Sequence, residues 1–350
     1  MSEILAPCGA MESLTAAVNA SADAVYLGEE YFSARKNADN FTAEQLCDAV
    51  RFCHYSGVKV YVTLNTLVFD REIPLLAKAI ENCAKADVDA FIVQDMGVAR
   101  LARQIVPEIP LHASTQMTVN SPEGAIMAKE LGFTRVVLGR ELSLAQIKAI
   151  TESCDIETEL FVHGALCVCI SGQCYMSSVL GGRSGNRGLC AQPCRLDFTS
   201  GDRHNVLSLK DLSLTEKLPE LAKAGITSFK IEGRMKRPEY VAGAVNACRV
   251  ALDGGTPDLI SLKNVFSRSG FTSGYFDDDF KNMQGVRTKD DVTSATSKVL
   301  SAMKQYYHKP FRRFPADITV NVKSGQPVSY KLSACGVSSS AVGDIPEKAL

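Results

Sequence analysis

Cys167, Cys169, Cys174, Cys190 and Cys194 crowd one stretch of the chain, spaced Cys167-x6-Cys174-x15-Cys190-x3-Cys194 with Cys169 as a fifth candidate. Four thiols on one segment suit a [4Fe–4S] cluster or a structural zinc. Zinc sites usually pair their cysteines as two close C-x2-4-C units, which the x6 gap fits poorly. No radical-type CxxxCxxC is present, since Cys194 is followed by RLD. The spacing leaves iron–sulfur, zinc and buried thiols all open. The other seven cysteines, Cys8, Cys47, Cys53, Cys83, Cys154, Cys248 and Cys335, are scattered and read as small core residues.

A second set of polar residues recurs at the ends of short apolar runs: Asn65, Gln94 with Asp95, His112 with Ser114 and Gln116, Arg140 with Glu141, His163, and Glu232 with Arg234. A bland alternative is a salt-bridge layer such as Arg140 with Glu232. Proteolytic signatures are missing. There is no HExxH and no GxSxG; among the five histidines (His54, His112, His163, His204, His308), His163 with Cys169 is the thiol–imidazole pair to consider, though four neighbouring thiols better suit a cluster.

The elements that must position these residues repeat along the chain. Strands are expected at 3–9, 22–28, 58–65, 90–95, 110–116, 135–141, 157–165 and 228–234. They are rich in Val, Ile and Phe without clean alternation, as strands buried on both faces should be. Helical patterns lie between them. ASADAVYLG, KADVDAFIVQD, LGFTRVVLGRE and AGITSFKIEGR share one lead-in, a helix end, a turn and a buried strand. Eight such units over about 250 residues predict a (β/α)8 TIM-type barrel. A doubly wound sheet would carry a Gly-rich turn after its first strand, and PCGAMES has no GxGxxG. In a barrel the polar residues would ring the mouth, where strands run into βα loops. The loop after strand seven, about 167–212, is far longer than usual and carries the cysteines, so it reads as the functional insert.

Residues 1–254 are expected to form the barrel. Residues 255–350 read as a C-terminal α+β extension, the start of a further domain in a longer protein. It should hold one helix near 290–306 and two strands in DITVNVKSGQPVSYKLSA. Composition agrees with a globular α/β chain: 350 residues, 46% hydrophobic, 22% charged, net charge −1 and no tryptophan. The start, MSEILAPCGAMESL, has neither a basic n-region nor an apolar h-region, and no run approaches a membrane span. A cytoplasmic protein without membrane attachment is expected. Charge is uneven. Residues 183–249 carry twelve Lys and Arg against seven acidic residues, whereas 1–60 carry four against eight. Arg183, Arg187, Lys236 and Arg237 are therefore candidates for gripping nucleic-acid phosphates.

ETELFVHGALCVCISGQCYMSS strongly resembles the signature of the collagenase-like family peptidase U32. LAPCGAMESL, ADAVYLG, FSAR, VTLNT, VQDMG, HASTQ, VLGREL, GRSGNRGLCAQPCR and FKIEGR resemble that family's blocks, in its order, across about residues 3–240. Cys8 departs from the pattern, which more often has a small residue such as Ala there. The resemblance implies a barrel with a [4Fe–4S] cluster on Cys167, Cys174, Cys190 and Cys194. HASTQ, VQDMG and GRSGNRG look closest to the branch that makes 5-hydroxycytidine in 23S ribosomal RNA; next comes the branch that makes 5-hydroxyuridine in tRNA. Both imply prephenate as hydroxyl source, and the rRNA branch continues well past residue 350. A third branch hydroxylates quinone precursors without oxygen; it would want an apolar mouth, and this one is polar. On this reading Arg140 or Arg234 would take the carboxylates of a small dicarboxylate co-substrate, and His163 would move a proton at C5. Asn65, Gln94, Gln116 and Glu232 would line the same pocket around an RNA base.

Overall fold

A computed structural model describes residues 2–35, 38–309, 314–334 and 336–346. It contains two compact units, 1–310 and 311–350. In the first, seven strands pair in parallel, each with the next: β1 (Glu3–Pro7), β2 (Ala24–Leu27), β3 (Lys59–Leu64), β4 (Ala90–Val93), β5 (Leu111–Ala113), β6 (Arg135–Val137) and β7 (Glu157–Ala165). A short β8 (Asp211–Ser213), not foreseen from the sequence, adds antiparallel to the end of β7. Then β9 (Ser228–Ile231) pairs with both β7 and β1 and closes the ring. This is the expected (β/α)8 barrel.

The helices α1 (Met11–Asn19), α2 (Ala43–Tyr55), α3 (Ile73–Lys85), α4 (Met96–Ile105), α5 (Pro122–Glu130) and α6 (Leu144–Thr151) fill the first six crossovers. Their starts are set by local chemistry. Thr42 and Gln45 cap α2 reciprocally, Ser121 caps α5, and Ser143 with Gln146 caps α6. Asp95 accepts from Gly97 and Val98 at the start of α4, so this carboxylate is spent as a cap. Every residue of β2, β4, β5, β6 and β9 is buried, because helices cover the outside and side chains fill the inside.

Several strands are shorter than expected. β5 ends at Ala113 and β6 at Val137. Gln116 therefore sits on a turn of 3-10 helix (Thr115–Met117), and Arg140 in a loop.

The barrel interior is charged in its lower half. Arg135 reaches Glu3 at 2.7 Å, Glu157 at 2.7 Å and Glu159 at 3.2 Å, while Lys230 meets Glu159 at 2.6 Å. Tyr61 and Ser228 also donate to Glu3. A salt-bridge layer exists, but deeper than the pair Arg140–Glu232. Buried charges survive there because each is paired and hydrogen-bonded.

After the cysteine loop, which carries α7 (Met176–Gly181), come α8 (Leu218–Lys223) and α9 (Pro238–Leu252). Residues 255–309 belong to the same unit as the barrel: Leu262, Val265 and Met303 are buried, and Asn19 donates to the Tyr307 carbonyl at 3.0 Å. The single helix expected at 290–306 is instead two, Lys289–Thr293 and Ser297–Lys304. Thr296 breaks the run by capping Val299.

The second unit is a three-stranded antiparallel sheet, Ala316–Asn321, Ser329–Ala334 and Val337–Val342. The first two strands match expectation; the third, VSSSAV, lacks the apolar alternation that would mark it. No helix among the described residues is long and apolar enough to cross a membrane.

Candidate functional site

Two glycines bring the last strand against the first and the seventh at the mouth. A Cβ on Gly9 would lie 2.0 Å from the Arg234 carbonyl oxygen, and one on Gly164 (φ 112°) would lie 2.6 Å from that of Glu232. Only glycine allows this approach, and it sets Glu232 and Arg234 at the rim.

Glu232 is the centre of a charge cluster. Its carboxylate pairs with Arg35 at 3.3 Å, with Glu232 only 13% exposed. Burial pushes this carboxyl up, but the charges of Arg35, Lys236 and Arg140 outweigh it and hold the pKa below the ordinary value. Arg234 lies beside them, donating to Ser33 at 2.6 Å and Thr63 at 2.9 Å. Burial, and then Arg35, push Arg234 down to about 10. Arg140 donates to the Ala165 carbonyl at 2.8 Å and packs over Phe161 at 4.8 Å, and its Nε is buried without a partner. Three guanidiniums and one ammonium thus face one carboxylate.

His163, on β7, is 1% exposed. Its Nδ1 lies 3.4 Å from Ser213 Oγ on β8, and its Nε2 has no partner. The rings of Phe271 and Tyr240 flank it at 5.0 and 5.7 Å. Burial lowers its pKa to about 4 despite the opposing charge of Glu232, so the ring is neutral at pH 7. No hydrogen bond joins it to Cys169, whose thiol is pushed up by burial and by Cys167, Cys174 and Glu141. The thiol–imidazole pair is not formed.

The remaining expected residues hold loops in place. Asn65 accepts from the Ala34 backbone at 3.0 Å and so fixes the turn that carries Arg35. Gln94 accepts from Asn186 at 2.7 Å, and the Gln116 carbonyl accepts from Gln173; both partners lie on the cysteine loop. Arg187 is consumed in the same way. It makes a two-pronged bridge to Glu72 at 2.6 and 3.0 Å, bonds the Leu67 carbonyl at 2.7 Å and stacks over Phe69 at 5.2 Å. Arg183 is exposed and donates to the Leu189 carbonyl at 3.1 Å, and Arg237 is exposed at the start of α9. Lys236, another candidate for gripping phosphates, lies half-buried beside Glu232. Burial, and the charges of Arg268 and Arg287, lower it to about 8 against the pull of Glu232 and Asp211.

Arg35 lies outside the polar set expected from the strand ends, although FSAR is one of the resembling blocks. A lone arginine between two elements carries no period, and only the closed barrel sets it opposite Glu232. Glu141 serves the loop: it accepts from the Ser171 backbone at 2.7 Å, and its second oxygen is buried and unpartnered.

The four cysteines sense one another. Burial pushes the Cys194 thiol up, as do Cys167, Cys190 and Cys174, against the pull of Arg195. The Cys174 sulfur accepts from Met176 N and the Cys190 sulfur from Gln192 N, both at 3.3 Å. Cys190 also lies within electrostatic reach of Arg35, which brings the loop beside the charge cluster. Among the described residues, no three His, Cys, Asp or Glu side chains converge on a position for a single metal ion. Of the scattered cysteines, Cys8, Cys53, Cys83 and Cys248 are buried, while Cys47 and Cys154 are partly so; Cys335 lies outside the described residues.

The profile described as Peptidase family U32 matches residues 9–284. An Escherichia coli protein named 23S rRNA 5-hydroxycytidine C2501 synthase is 43% identical over 284 residues, 78% of this chain and 42% of that protein. A Bacillus subtilis protein named tRNA hydroxylation protein P1 is 38% identical over 270 residues, 73% of this chain and 64% of that protein. A Porphyromonas gingivalis protein named Collagenase is 36% identical over 306 residues, 78% of this chain and 73% of that one. The chain thus spans less than two thirds of the length of the first two relatives.

Proposed function

The chain belongs to peptidase family U32, and from that premise we propose that it is the barrel part of an RNA-modifying enzyme that converts C5–H of a pyrimidine to C5–OH without molecular oxygen. Cytidine in 23S ribosomal RNA is the favoured target and tRNA uridine the next. The names of the relatives support RNA hydroxylation. The observation that carries the reading in this chain is the cluster of Arg35, Arg140, Arg234 and Lys236 around Glu232, beside the cysteine loop. Glu232 faces four cations here, and Asp211, which also draws on Lys236, is itself paired with Arg268. A second anion is called for, and guanidiniums match carboxylates bidentately. A dicarboxylate such as prephenate supplies that charge together with the hydroxyl.

Cys167, Cys174, Cys190 and Cys194 would hold the [4Fe–4S] cluster. Cys167, Cys190 and Cys174 all lie within electrostatic reach of Cys194, as one site built from the four thiols requires, and the x6 gap between Cys167 and Cys174 fits the paired spacing of zinc sites poorly. When bound, the cluster would relay the two electrons that C5–H gives up in becoming C5–OH, one at a time, to an external electron acceptor, a role no side chain can fill. The chain's own groups bind and orient: Arg35, Arg140 and Arg234 seat the anion, and the free Nε2 of His163 receives a proton at the base, with Glu232 steadying the resulting charge. A base held in structured RNA must be unstacked to reach this pocket.

Nucleoside mass spectrometry of rRNA and tRNA from a deletion strain, complemented with the full-length protein, tests the reading. Loss of one hydroxylated pyrimidine, restored by the wild type and not by Cys190→Ala, is the expected result. Unchanged RNA with accumulation of a quinone precursor would replace this proposal. Unchanged RNA together with gelatin cleavage that survives loss of the cluster cysteines would mean the family's peptidase name describes this chain.

A further inference from the structure

Three cations gather around one aromatic ring just outside the Glu232 cluster. Lys236 Nζ lies 3.0 Å from the centroid of Phe266, the guanidinium carbon of Arg287 lies 4.3 Å from it, and that of Arg268 lies 5.3 Å away. Tyr240 supports the ring edge-on at 6.2 Å. The ring itself is half-buried, and so keeps part of its surface open.

Counter-charge is short here. Asp211 pairs with Arg268, and Glu232 is already taken by Arg35. Arg287 is exposed and has no carboxylate partner among the described residues. Three like charges within a ring's width repel one another, and an anion relieves that repulsion.

The backbone that carries Arg287 is held firmly. Gly285 N donates to the Ser208 carbonyl at 2.9 Å, Ser208 Oγ donates back to the Gly285 carbonyl at 2.6 Å, and Ser269 Oγ donates to Val286 O at 2.6 Å. The cation is therefore placed in advance of any ligand. By contrast Arg187, one of the residues whose sequence position suggested a phosphate grip, is spent on Glu72.

We infer that Lys236, Arg268, Arg287 and Phe266 form the seat for the RNA strand next to the target nucleotide, with phosphodiester groups on the cations and a flanking base against the ring. Single strands are gripped in this way elsewhere, by charge that tracks the backbone and by aromatic faces that accept any base. A small free anion would engage the cations, for which the ring already serves as a platform, whereas a strand can also reach the part of Phe266 left exposed. The inference rests on the RNA reading above and adds where the strand enters: from the side of residues 266–287, over Phe266, toward His163.

Fluorescence anisotropy tests it, with a labelled RNA hairpin carrying a cytidine in its unpaired loop, titrated with the 350-residue chain at several salt concentrations. Arg287→Glu should bind about tenfold more weakly, with a salt slope shallower by about 0.7 for each phosphate no longer neutralised. Its melting temperature should not change, because Arg287 is exposed and pairs with no carboxylate. Phe266→Leu should weaken binding to a similar extent and leave the slope unchanged, since stacking releases no counterions. Equal binding and equal slope for Arg287→Glu and the wild type would overturn the inference and leave the RNA reading standing. So would weakening confined to Arg183→Glu, which would move the interface to the cysteine loop. A wild-type chain that binds no RNA even at low salt would sink both.

Discussion

At the scale of single residues, the site is a problem in buried charge. His163 is neutral because it has been removed from water, and this links it to stability. Its pKa is near 4 in the folded chain and near 6.5 when unfolded, so between those values the unfolded chain binds the extra proton. The stabilisation is complete above about pH 6.5 and is lost as pH falls toward 4, by up to about 3 kcal/mol. Urea melts at pH 7 and pH 4.5 should show a smaller pH effect in His163→Gln than in the wild type; parallel curves would mean that the imidazole is not held neutral. Lys236 is shifted in the same direction and by the same cause, burial. Lowered to about 8, it loses its charge as pH rises through that value. Affinity for a dicarboxylate, read by calorimetry, should therefore fall between about pH 7 and 9, and Lys236→Arg should flatten the fall. Arg35→Ala should weaken the same ligand by about tenfold or more, because it removes a charge-assisted bond.

At the scale of elements, the cysteine loop is held on the barrel by residues that look functional in sequence, Gln94 and Arg187 through their side chains and Gln116 through its backbone carbonyl. Gln94 to Asn186, Gln116 to Gln173 and Arg187 to Glu72 are tethers from three βα connections. They let a long irregular segment hold four thiols near the mouth. Anaerobic reconstitution should give about four irons per chain. Alanine at Cys167, Cys174, Cys190 or Cys194 should lose them together, while Cys169→Ala keeps them. Arg187→Ala should leave the iron count intact but raise proteolytic nicking between residues 176 and 195. Unchanged nicking would show that the loop holds its own shape.

At the scale of the molecule, the barrel does not end with its last strand. Leu262, Val265, Phe276, Met283 and Met303 are all exposed by 5% or less, each contributing about 2 kcal/mol of apolar burial. A chain cut after residue 254 should fail to fold or aggregate, whereas one cut after residue 309 should melt within a few degrees of the full chain. Much of this architecture was legible in the sequence. Apolar runs without alternation, repeated lead-ins and a missing Gly-rich turn specify βα units that close into a barrel, because strands buried on both faces leave few other arrangements. The cysteine spacing and the polar strand ends were legible for the same reason, since chemistry at a barrel mouth is confined to where strands stop. What each polar residue does was decided only by the tertiary structure. Asn65, Gln94, Gln116 and Arg187 became tethers, Lys236 proved half-buried beside Glu232, and Arg35 and Phe266 joined the site. Asn65 lies 31 positions from the backbone it holds and Arg35 lies 197 from Glu232, and charge balance at the mouth is set by which distant residues share it, a quantity no local pattern carries.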